Sequence, residues 1–599
     1  MQDKACCNFE TQSATNIKRM NFSKTLLASL LALVIFTAGM FFLSFIMIAS
    51  LASLSEDKVQ VKDNSFLHLK LNGEIIELDI DDPFASLMGA KPQSLQTLKD
   101  AIIHAKTDNK IKGIVLETGF LFTGYSTLDE LRLALLDFRE SGKPVIAYAE
   151  NYSEGSYYLA SAADKVYMHP YGELEFNGLS IEITFYKKLF DKLGIKPEIF
   201  RVGDFKSAVE PYMLEEMSKE NREQLQLLLD EIYAKIIEDV ATARNLDASL
   251  VKEISDKMKI TIAEDALAYN FIDSLYYYDQ LESKLRQLAE ITEKAKLNLI
   301  TAGKYKKSIK SEQRSRNEIA VIVAEGVIMP GESSSGTVGS KTIVDELKKA
   351  RNNDRVKAVV LRVNSPGGSF QASDVMWREI KLLAEQKPVI ASMGDVAASG
   401  GYYLAMACDT IVASANTITG SIGIFSVLFD LSGFLDNKIG ITFDQVQTGE
   451  VGDLITFTRP LTEKEKNIWQ KKTNEGYEVF TTKAAEGREM DIADLKRVAS
   501  GRVWSGSQAI ERGLVDVLGG FDDAVNVAVS AAGLEDYRLR FYPKPKTFVE
   551  NLLSGLSGDV EASKVKAEMG EFYFIYKDLK RINQFQGTQA RLPFDIHWN

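Results

Sequence analysis

An internal repeat with a period of about 245 residues constrains the fold of this chain more than any other feature. Residues 109–118 read NKIKGIVLET, and residues 143–170 read KPVIAYAENYSEGSYYLASAADKVYMHP. The second copy has DRVKAVVLRV at 354–363 and KPVIASMGDVAASGGYYLAMACDTIVAS at 387–414. Because this period is far too long for a solenoid, it indicates a duplicated domain.

Each copy alternates between strand and helix patterns. A β-branched apolar run predicts a buried strand, and the helical pattern that follows is LDELRLALLDFRESG at 128–142 or SDVMWREIKLLAEQ at 373–386. A second apolar strand then leads into a tight turn and another helix. Alternation of this kind is typical of an α/β fold with a largely parallel sheet.

A polar stretch separates the two copies. Residues 301–317, TAGKYKKSIKSEQRSRN, are basic and lack apolar periodicity, so they are predicted to form a linker. The N-terminal half then covers residues 55–300, and the C-terminal half covers residues 318–545.

Each half also contains a long helical pattern. Leu, Ile and Ala recur at helical spacing over residues 213–299 and again over residues 462–498, so we expect a helical lobe in each half. Residues 546–599 show only a weak pattern, and no role is predicted for this C-terminal tail.

A long uncharged stretch lies near the N-terminus. Residues 25–54 contain no Asp, Glu, Lys or Arg and exceed the ~20 apolar residues that a membrane-spanning helix needs. A cleaved signal peptide has an apolar region of only about 7–15 residues, so an uncleaved anchor is the preferred interpretation. The Lys and Arg residues just before the stretch place residues 1–24 in the cytoplasm and the two halves outside it.

Charge and cysteine content exclude several kinds of partner and site. The net charge is −12 and no long basic stripe is present, so nucleic acid is not expected as a partner. Cys6, Cys7 and Cys408 are too few and too scattered for a disulfide framework, and Cys6 and Cys7 lack a second cluster for metal binding. We expect neither a metal nor a cofactor.

The first chemical difference between the copies is a glycine pair after a strand. The second copy has NSPGGS at 364–369, whereas the first copy has Phe122 and Thr123 opposite the glycines. Glycine lets backbone N–H groups approach a ligand closely, which is one way to form an oxyanion hole. A plain turn is the alternative interpretation.

The second difference is a serine in a strand-to-helix turn. The second copy reads AASGGYY around Ser399, and the first copy reads SEGSYY, with Glu154 opposite the serine. The N-terminus of a helix favours negative charge, so a nucleophile would benefit from this position. A structural N-cap serine is the alternative.

The third difference runs in the opposite direction. The first half contains Lys206 in RVGDFKSAVEPY, whereas VQTGEVGDLITF of the second half has Glu450 at the corresponding point. A single lysine is usually a solvated surface charge. Here, however, one half supplies a serine and the other a lysine, so the two halves could divide one catalytic task.

The motifs GDFKSAVEPY, VNSPGGS, VAASGGYYLA and TGSIGIF resemble those of the long form of the signal peptide peptidase A family, also called protease IV. That family has the Clp-protease/crotonase fold, and the resemblance covers the anchor, both repeats and the linker. It implies tandem α/β peptidase domains with helical lobes behind one transmembrane helix. It also implies a homotetramer in the bacterial inner membrane, with its catalytic domains in the periplasm.

The resemblance assigns roles to individual residues. Ser399 corresponds to the nucleophile and Lys206 to the general base. Ser421 corresponds to a serine that helps to hold the lysine, and Gly368 and Gly400 correspond to backbone donors of the oxyanion hole.

Lysine is also the base that the residue inventory favours. The chain has four histidines, and none lies in a recognisable catalytic turn, so a Ser-His-Asp triad has little support. A lysine base must be unprotonated, whereas free lysine titrates around 10.4. Burial of Lys206 among apolar neighbours can lower its pKa enough.

Asp204 poses a difficulty for a lysine base. On an extended segment its side chain would share a face with Lys206, and a nearby carboxylate raises the pKa of an ammonium group. We therefore predict that the side chain of Asp204 turns away to solvent.

The function implied by the resemblance is degradation of cleaved signal peptides and similar apolar peptides by a serine endopeptidase. The loop around Phe370 and residues 421–429 are expected to line apolar pockets, and extended peptide is expected to pair with a strand edge near NSPGGS. Two alternatives keep the fold, a crotonase-type acyl-CoA enzyme and a non-catalytic membrane-tethered scaffold. The anchor argues against the first because it separates the domains from CoA, and the presence of every site residue argues against the second.

Overall fold

The computed structural model describes residues 22–54, 60–79, 92–309, 315–334, 336–544 and 588–592. The chain forms two compact units, Met1–Gln60 and Val61–Asn599. The N-terminal tail up to residue 21, with Cys6 and Cys7, lies outside the described residues, as does the C-terminal tail apart from residues 588–592.

The first unit contains helix α1, Phe22–Leu54. Its side chains are described at positions 26–40, 42 and 43, and all of these are exposed. Within the described part of the chain, no helix is both long and apolar enough to cross a membrane. The anchor over residues 25–54 stays a prediction from the sequence.

The N-terminal half of the second unit alternates strands with helices. Its strands are β1 (Ser65–Gly73), β2 (Ile75–Ile76), β3 (Gln93–Ser94), β4 (Ile111–Leu121), β5 (Val145–Ala149), β6 (Lys165–Met168), β7 (Lys196–Val202), β8 (Ser274–Leu275) and β9 (Asn298–Thr301). Its helices are α2 (Leu95–Thr107), α3 (Tyr125–Arg139), α4 (Glu154–Ala160), α5 (Lys187–Leu193), α6 (Glu210–Met213), α7 (Lys219–Arg244), α8 (Ala248–Asp256), α9 (Ala263–Ala268), α10 (Tyr278–Leu288) and α11 (Ala302–Ser308), with a 3₁₀ turn at Ser207–Val209. Helix α11 lies within the segment predicted as a linker.

The C-terminal half follows the same scheme. Its strands are β10 (Glu318–Glu325), β11 (Val327–Met329), β12 (Thr337–Gly339), β13 (Val356–Ser365), β14 (Gly367–Ser369), β15 (Val389–Ala398), β16 (Thr410–Ala413), β17 (Ile418–Gly420), β18 (Ile424–Asp430), β19 (Val503–Ser505), β20 (Val517–Leu518), β21 (Arg538–Tyr542) and β22 (Thr588–Arg591). Its helices are α12 (Ser340–Asn352), α13 (Phe370–Ala384), α14 (Gly400–Ala405), α15 (Ser432–Phe434), α16 (Glu463–Gly487), α17 (Ile492–Val498), α18 (Gly506–Glu511) and α19 (Phe521–Ala531), with a π-helical turn at Leu435–Ile439.

The two halves contain sheets of the same topology. The N-terminal sheet has the order β8-β6-β5-β4-β1-β9, and all of its pairings are parallel. In the C-terminal half, the parallel strands run in the corresponding order β20-β16-β15-β13-β10-β21. Strands β17 and β19 extend this second sheet beside β15. The repeat found in the sequence is therefore a repeat of strand order.

The central strand β13 shows why apolar runs form these sheets. Val359 and Leu361 face a core that contains Ile380 of α13, while Val360 faces a second core that contains Phe521 of α19. Both faces of the strand are covered by helices. A strand buried on both faces is apolar almost throughout, as parallel sheets of α/β proteins require.

A third sheet joins the two halves. Its order is β12-β11-β14-β22-β18-β7, so β7 of the N-terminal half pairs antiparallel with β18 of the C-terminal half. The register places Val202 opposite Ile424. Because these two residues pair, the loop that follows β7 meets the turn that precedes β18. Those segments contain Lys206 and Ser421.

Buried charges also join the halves. Arg362 on β13 forms ion pairs with Glu77 at 3.0 Å and with Glu130 at 2.8 Å, and both carboxylates belong to the N-terminal half. Lys99 contacts Glu130 at 2.7 Å. All four side chains are largely or fully buried.

Candidate active site

Ser399 occupies the turn between β15 and α14. Its backbone has φ 54° and ψ −110°, a conformation that side-chain-bearing residues seldom adopt. The Ser399 N–H donates to Gly420 O at 2.8 Å, which ties the turn to β17. Gly401 leaves no room for a side chain, because an added Cβ would lie 2.6 Å from Ser365 O. A strained residue held by its surroundings in this way is typical of a functional turn.

Lys206 comes from the other half and meets Ser399 directly. It lies four residues after the end of β7 and is fully buried. Its Nζ lies 2.9 Å from Ser399 Oγ, 3.0 Å from Ser421 Oγ and 3.1 Å from Ser421 O. The structure thus brings together three of the residues singled out in the sequence, within one chain.

Two glycines make space for the lysine side chain. An added Cβ at Gly423 would lie 3.1 Å from Lys206 Cδ, and one at Gly501 would lie 2.6 Å from Lys206 Cβ. Gly501 also has φ 80°, which favours glycine. The lysine is therefore enclosed along its length, and only its amine reaches polar groups.

The protonation of Lys206 follows from this enclosure. Burial lowers the pKa of Lys206 well below its ordinary value. The side chain of Asp204 is exposed, as the sequence analysis predicted. Because the charged form of an amine is costly to bury without a counter-ion, the neutral form of Lys206 is favoured.

Ser421 is held in a second unusual turn. Its φ is 51°, and its N–H donates to Arg502 O at 2.7 Å. This hydrogen bond fixes the two Ser421 oxygens that contact Lys206 Nζ. Both oxygens thus lie at hydrogen-bond distance from the amine, and the role of Ser421 in orienting it stays a prediction.

The candidate oxyanion glycines lie beside Ser399. Gly367 and Gly368 have φ 94° and 156°, values that exclude most other residues. Gly400 begins α14, and an added Cβ at Gly367 would lie only 2.7 Å from Gly400 N. The glycine loop after β13 and the first backbone N–H of α14 therefore meet next to the serine.

Comparison of this chain with the sequence profiles of known protein families identifies its family. The profile of peptidase family S49 matches residues 137–292 and 381–535, one stretch in each half. The chain belongs to peptidase family S49. The profile named Clp protease matches residues 310–417, which include the glycine loop and Ser399. The predicted duplication is confirmed as tandem S49 domains with a Clp-protease-like, mixed α/β fold.

Named relatives identify the activity of this S49 protein. Protease 4 of Salmonella typhi is 37% identical over 490 residues, covering 80% of this chain and 79% of that protein. Protease 4 of Haemophilus influenzae is 37% identical over 510 residues, covering 82% of each. Serine protease SPPA, chloroplastic, of Arabidopsis thaliana is 34% identical over 512 residues, covering 84% of this chain and 74% of that protein. The chain is a serine peptidase, which sets aside the acyl-CoA enzyme and the scaffold.

The two copies of the S49 domain carry different residues at the positions of the dyad. At the start of α4, the buried Glu154 accepts hydrogen bonds from Asn177 N at 3.3 Å and Gly178 N at 3.0 Å, and burial raises its pKa. Glu450, which the sequence analysis places opposite Lys206 in the second copy, is exposed and forms an ion pair with Lys464. Each copy therefore lacks the residue that the other supplies.

Gln224 is a positioning residue that the sequence analysis missed. From α7 of the N-terminal half, its Nε2 donates to Phe205 O at 3.2 Å and to Ser207 Oγ at 3.0 Å, on either side of Lys206. Its Oε1 accepts from Val503 N of the C-terminal half at 3.2 Å. One amide thus ties the lysine loop of this S49 peptidase to β19.

Replacing Gln224 by leucine is expected to lower kcat about 10²-fold with little change in KM, because small displacements of a catalytic group have effects of that size. Hydrolysis of a fluorogenic peptide at several pH values measures both constants. Gln226→Leu is the matched control, since Gln226 lies on the exposed face of the same helix. Equal kcat values for the two variants would contradict the positioning role.

Proposed function

We propose that this S49 peptidase cleaves peptide bonds with a Ser-Lys dyad, in which Ser399 is the nucleophile and Lys206 the general base. The observation that carries the proposal is the 2.9 Å distance between Lys206 Nζ and Ser399 Oγ in a fully buried site. A neutral amine at hydrogen-bond distance from a hydroxyl is the arrangement that activates a serine nucleophile.

The proposed reaction has two stages. Neutral Lys206 takes the hydroxyl proton of Ser399 as Oγ attacks the peptide carbonyl carbon, and the N–H groups of Gly368 and Gly400 stabilise the oxyanion. The C–N bond then breaks, and Lys206 gives its proton to the leaving amine. Water next attacks the acyl-enzyme, and Lys206 accepts one proton of the water. As the bond between the acyl carbon and Ser399 Oγ breaks, Lys206 returns this proton to Oγ, which frees the carboxylic acid product and regenerates Ser399 and neutral Lys206.

The proposed substrates are cleaved signal peptides and similar apolar peptides. Support comes from the family resemblance of the motifs. We propose that residues 25–54 anchor the chain in the bacterial inner membrane, with the catalytic halves in the periplasm. The uncharged stretch and the cations before it support this part of the proposal.

A homotetramer is also part of the proposal. The segment after β18 exposes six large apolar side chains, each 45–101% exposed: Ile439, Ile441, Phe443, Val446, Ile455 and Phe457. Surfaces of this kind usually contact another protein. Light scattering from the detergent-solubilised protein should give the mass of four chains, and the mass of one chain would contradict the assembly.

Hydrolysis of a fluorogenic apolar peptide tests activity and location in two arms. Detergent-solubilised protein should hydrolyse the peptide, whereas the Ser399→Ala protein should not. Intact spheroplasts that express the chain should hydrolyse a peptide too large to cross the inner membrane. Activity in detergent but not with intact spheroplasts would reject the periplasmic location and leave the peptidase proposal standing.

A further inference from the structure

A bulge interrupts strand β15 shortly before Ser399. Met393 and Ala397 both pair with β13, but the register shifts between them, so that residues 394–396 lie opposite Asn364 alone. Bulges bend a strand and occur often beside active sites, where they change the direction in which a side chain points. The path of β15 into the Ser399 turn therefore depends on how this bulge is held.

The bulge moves β15 from one neighbouring strand to another. Before it, residues 390–392 pair with β16, and after it, residues 396–398 pair with β17. The hydrogen bond from Ser399 N to Gly420 O continues the second pairing. In the first copy β5 has five residues and ends at Ala149, whereas β15 has ten. The longer strand thus belongs to the copy that carries Ser399.

Asp395, at the centre of the bulge, is bound by the other half of the chain. The Thr127 N–H donates to Asp395 Oδ1 at 2.7 Å. The Thr127 hydroxyl and the Gly124 N–H donate to Asp395 Oδ2 at 2.8 and 3.1 Å. These donors lie at the N-terminus of α3, where backbone N–H groups lack partners within the helix and a carboxylate is favoured. A residue of the C-terminal half therefore caps a helix of the N-terminal half.

The repeat shows how this cap differs from an ordinary one. Helix α13, the counterpart of α3, is capped by its own Ser369, whose Oγ accepts from Ala372 N at 3.3 Å. Gly124 is the N-cap residue of α3 and has no side chain for this role. A Cβ added at Gly124 would lie only 2.4 Å from Asp395 Cγ. The glycine thus makes room for a cap that comes from β15.

The neighbours of Asp395 are tied within the C-terminal half. The Thr417 hydroxyl donates to Gly394 O at 2.8 Å, and Val396 N donates to Asn364 Oδ1 at 3.2 Å. Asp395 adds to these bonds a connection between the bulge and α3. A displacement of α3 would therefore move the bulge and, with it, the strand that leads into the catalytic turn.

We propose that Asp395 is a positioning residue for Ser399, which holds the bulge of β15 against α3 and so makes the geometry of the serine depend on the docking of the N-terminal half. The inference rests on the proposed role of Ser399 as nucleophile. Asp395 lies four residues before Ser399 and acts through the backbone between them. The N-terminal half thus supplies Lys206 and also supports the serine that Lys206 activates.

Substitution of Asp395 tests the positioning role. Asp395→Ala removes the acceptors and should lower kcat for a fluorogenic peptide about 10²-fold with little change in KM. Asp395→Asn keeps an acceptor for Thr127 N and should retain most of kcat. The matched control is Asp247→Ala, which removes a carboxylate that caps α8. It should leave kcat unchanged. Equal kcat values for the unaltered chain and Asp395→Ala, or equal losses in the two Asp395 variants, would overturn the inference.

A substitution in the other half tests the coupling to α3. Gly124→Ala adds one methyl group that must push Asp395 away, so kcat should fall at least about tenfold although Asp395 and Ser399 are unaltered. Gly303→Ala is the control, because a Cβ added there meets no atom within 4 Å. An unchanged kcat in Gly124→Ala would overturn the inference.

Amide hydrogen exchange separates this inference from the proposed chemistry. In Asp395→Ala the amides of Val396 and Ser399 should exchange at least about tenfold faster than in the unaltered chain, because the bulge opens locally. The amides of β10 should keep their rates, which shows that the variant is folded. Unchanged exchange at Val396 and Ser399 would overturn the inference. If Ser399→Ala were fully active, the proposed function would fail, and the exchange rates would still test the link between Asp395 and the turn.

Discussion

Replacing Lys206 by methionine is expected to lower kcat for peptide hydrolysis about 10²–10⁴-fold, the range that a general base contributes, with little change in KM. Methionine keeps an unbranched apolar chain between Gly423 and Gly501 and removes only the amine. Ser399→Ala should have an effect at least as large. Because the two residues act as a unit, the double variant should lose little more than either single variant.

The pH dependence of the unaltered enzyme follows from the same residue. Only neutral Lys206 can accept the serine proton, so kcat/KM should rise with pH and reach a plateau once the amine is deprotonated. Since burial holds the pKa of Lys206 well below its ordinary value, the plateau should begin below the usual lysine range. The residual activity of Lys206→Met should lack this rise.

Stability measurements distinguish loss of the base from loss of the fold. Folding at neutral pH requires Lys206 to give up the proton that it holds in the unfolded chain, so the unfolded state binds more protons. The stability contribution of Lys206 is therefore unfavourable below the ordinary lysine pKa and improves as pH rises. Lys206→Met should unfold at an equal or higher temperature at neutral pH.

An exposed lysine provides the matched control. Lys192→Met changes the same side chain on the surface of α5 and should leave kcat and its pH profile unaltered. If Lys206→Met retained more than about one-tenth of kcat, the loss would be smaller than a general base contributes. Another residue would then have to be the general base.

The sequence predicted the parts of the site that differ between the copies. Ser399 and Lys206 stood out because each has a different residue at the equivalent position, Glu154 and Glu450. The repeat likewise predicted a largely parallel α/β sheet in each half, because each buried strand has its own apolar run. Local sequence does not encode the β7–β18 pairing that brings the two halves together, since it depends on residues far apart in the chain.

Gln224 and β22 escaped the sequence analysis for physical reasons. Gln224 shares the buried face of α7 with Leu225 and Leu228. The sequence therefore shows only one amide within an apolar stripe, and this pattern also occurs in helices that have no catalytic neighbours. Residues 588–591, TQAR, have no apolar periodicity. Their strand conformation comes from pairing with β14 and β18 on either side.

A second large effect, a loss of folding stability, is expected when Arg362 is replaced. The buried ion pairs of this residue join the two halves. Burial raises the pKa of Glu130, but the charges of Arg362 and Lys99 outweigh it and lower that pKa to about 2. Burial also raises the pKa of Glu77, and Arg362 only partly opposes it. Removal of the guanidinium would leave two buried carboxylates with one remaining cation.

Arg362→Met should therefore destabilise the catalytic unit by about 3–5 kcal/mol, the usual result of removing one partner from a buried ion pair. Urea denaturation monitored by tryptophan fluorescence measures the change. Arg355→Met, an exposed position just before the same strand, should have almost no effect.

Arg362→Met is expected to lower the free energy of unfolding, and the pH dependence of this stability deficit tests its cause. Without Arg362, desolvation should raise the folded-state pKa of Glu77 further above its unfolded value, so the folded variant binds an extra proton in acid. The stability deficit should therefore be largest above the raised folded-state pKa of Glu77 and shrink as pH falls through that pKa. A deficit that does not change with pH would mean that Arg362 acts through packing, and that the β7–β18 pairing holds the halves together without help from the buried charges.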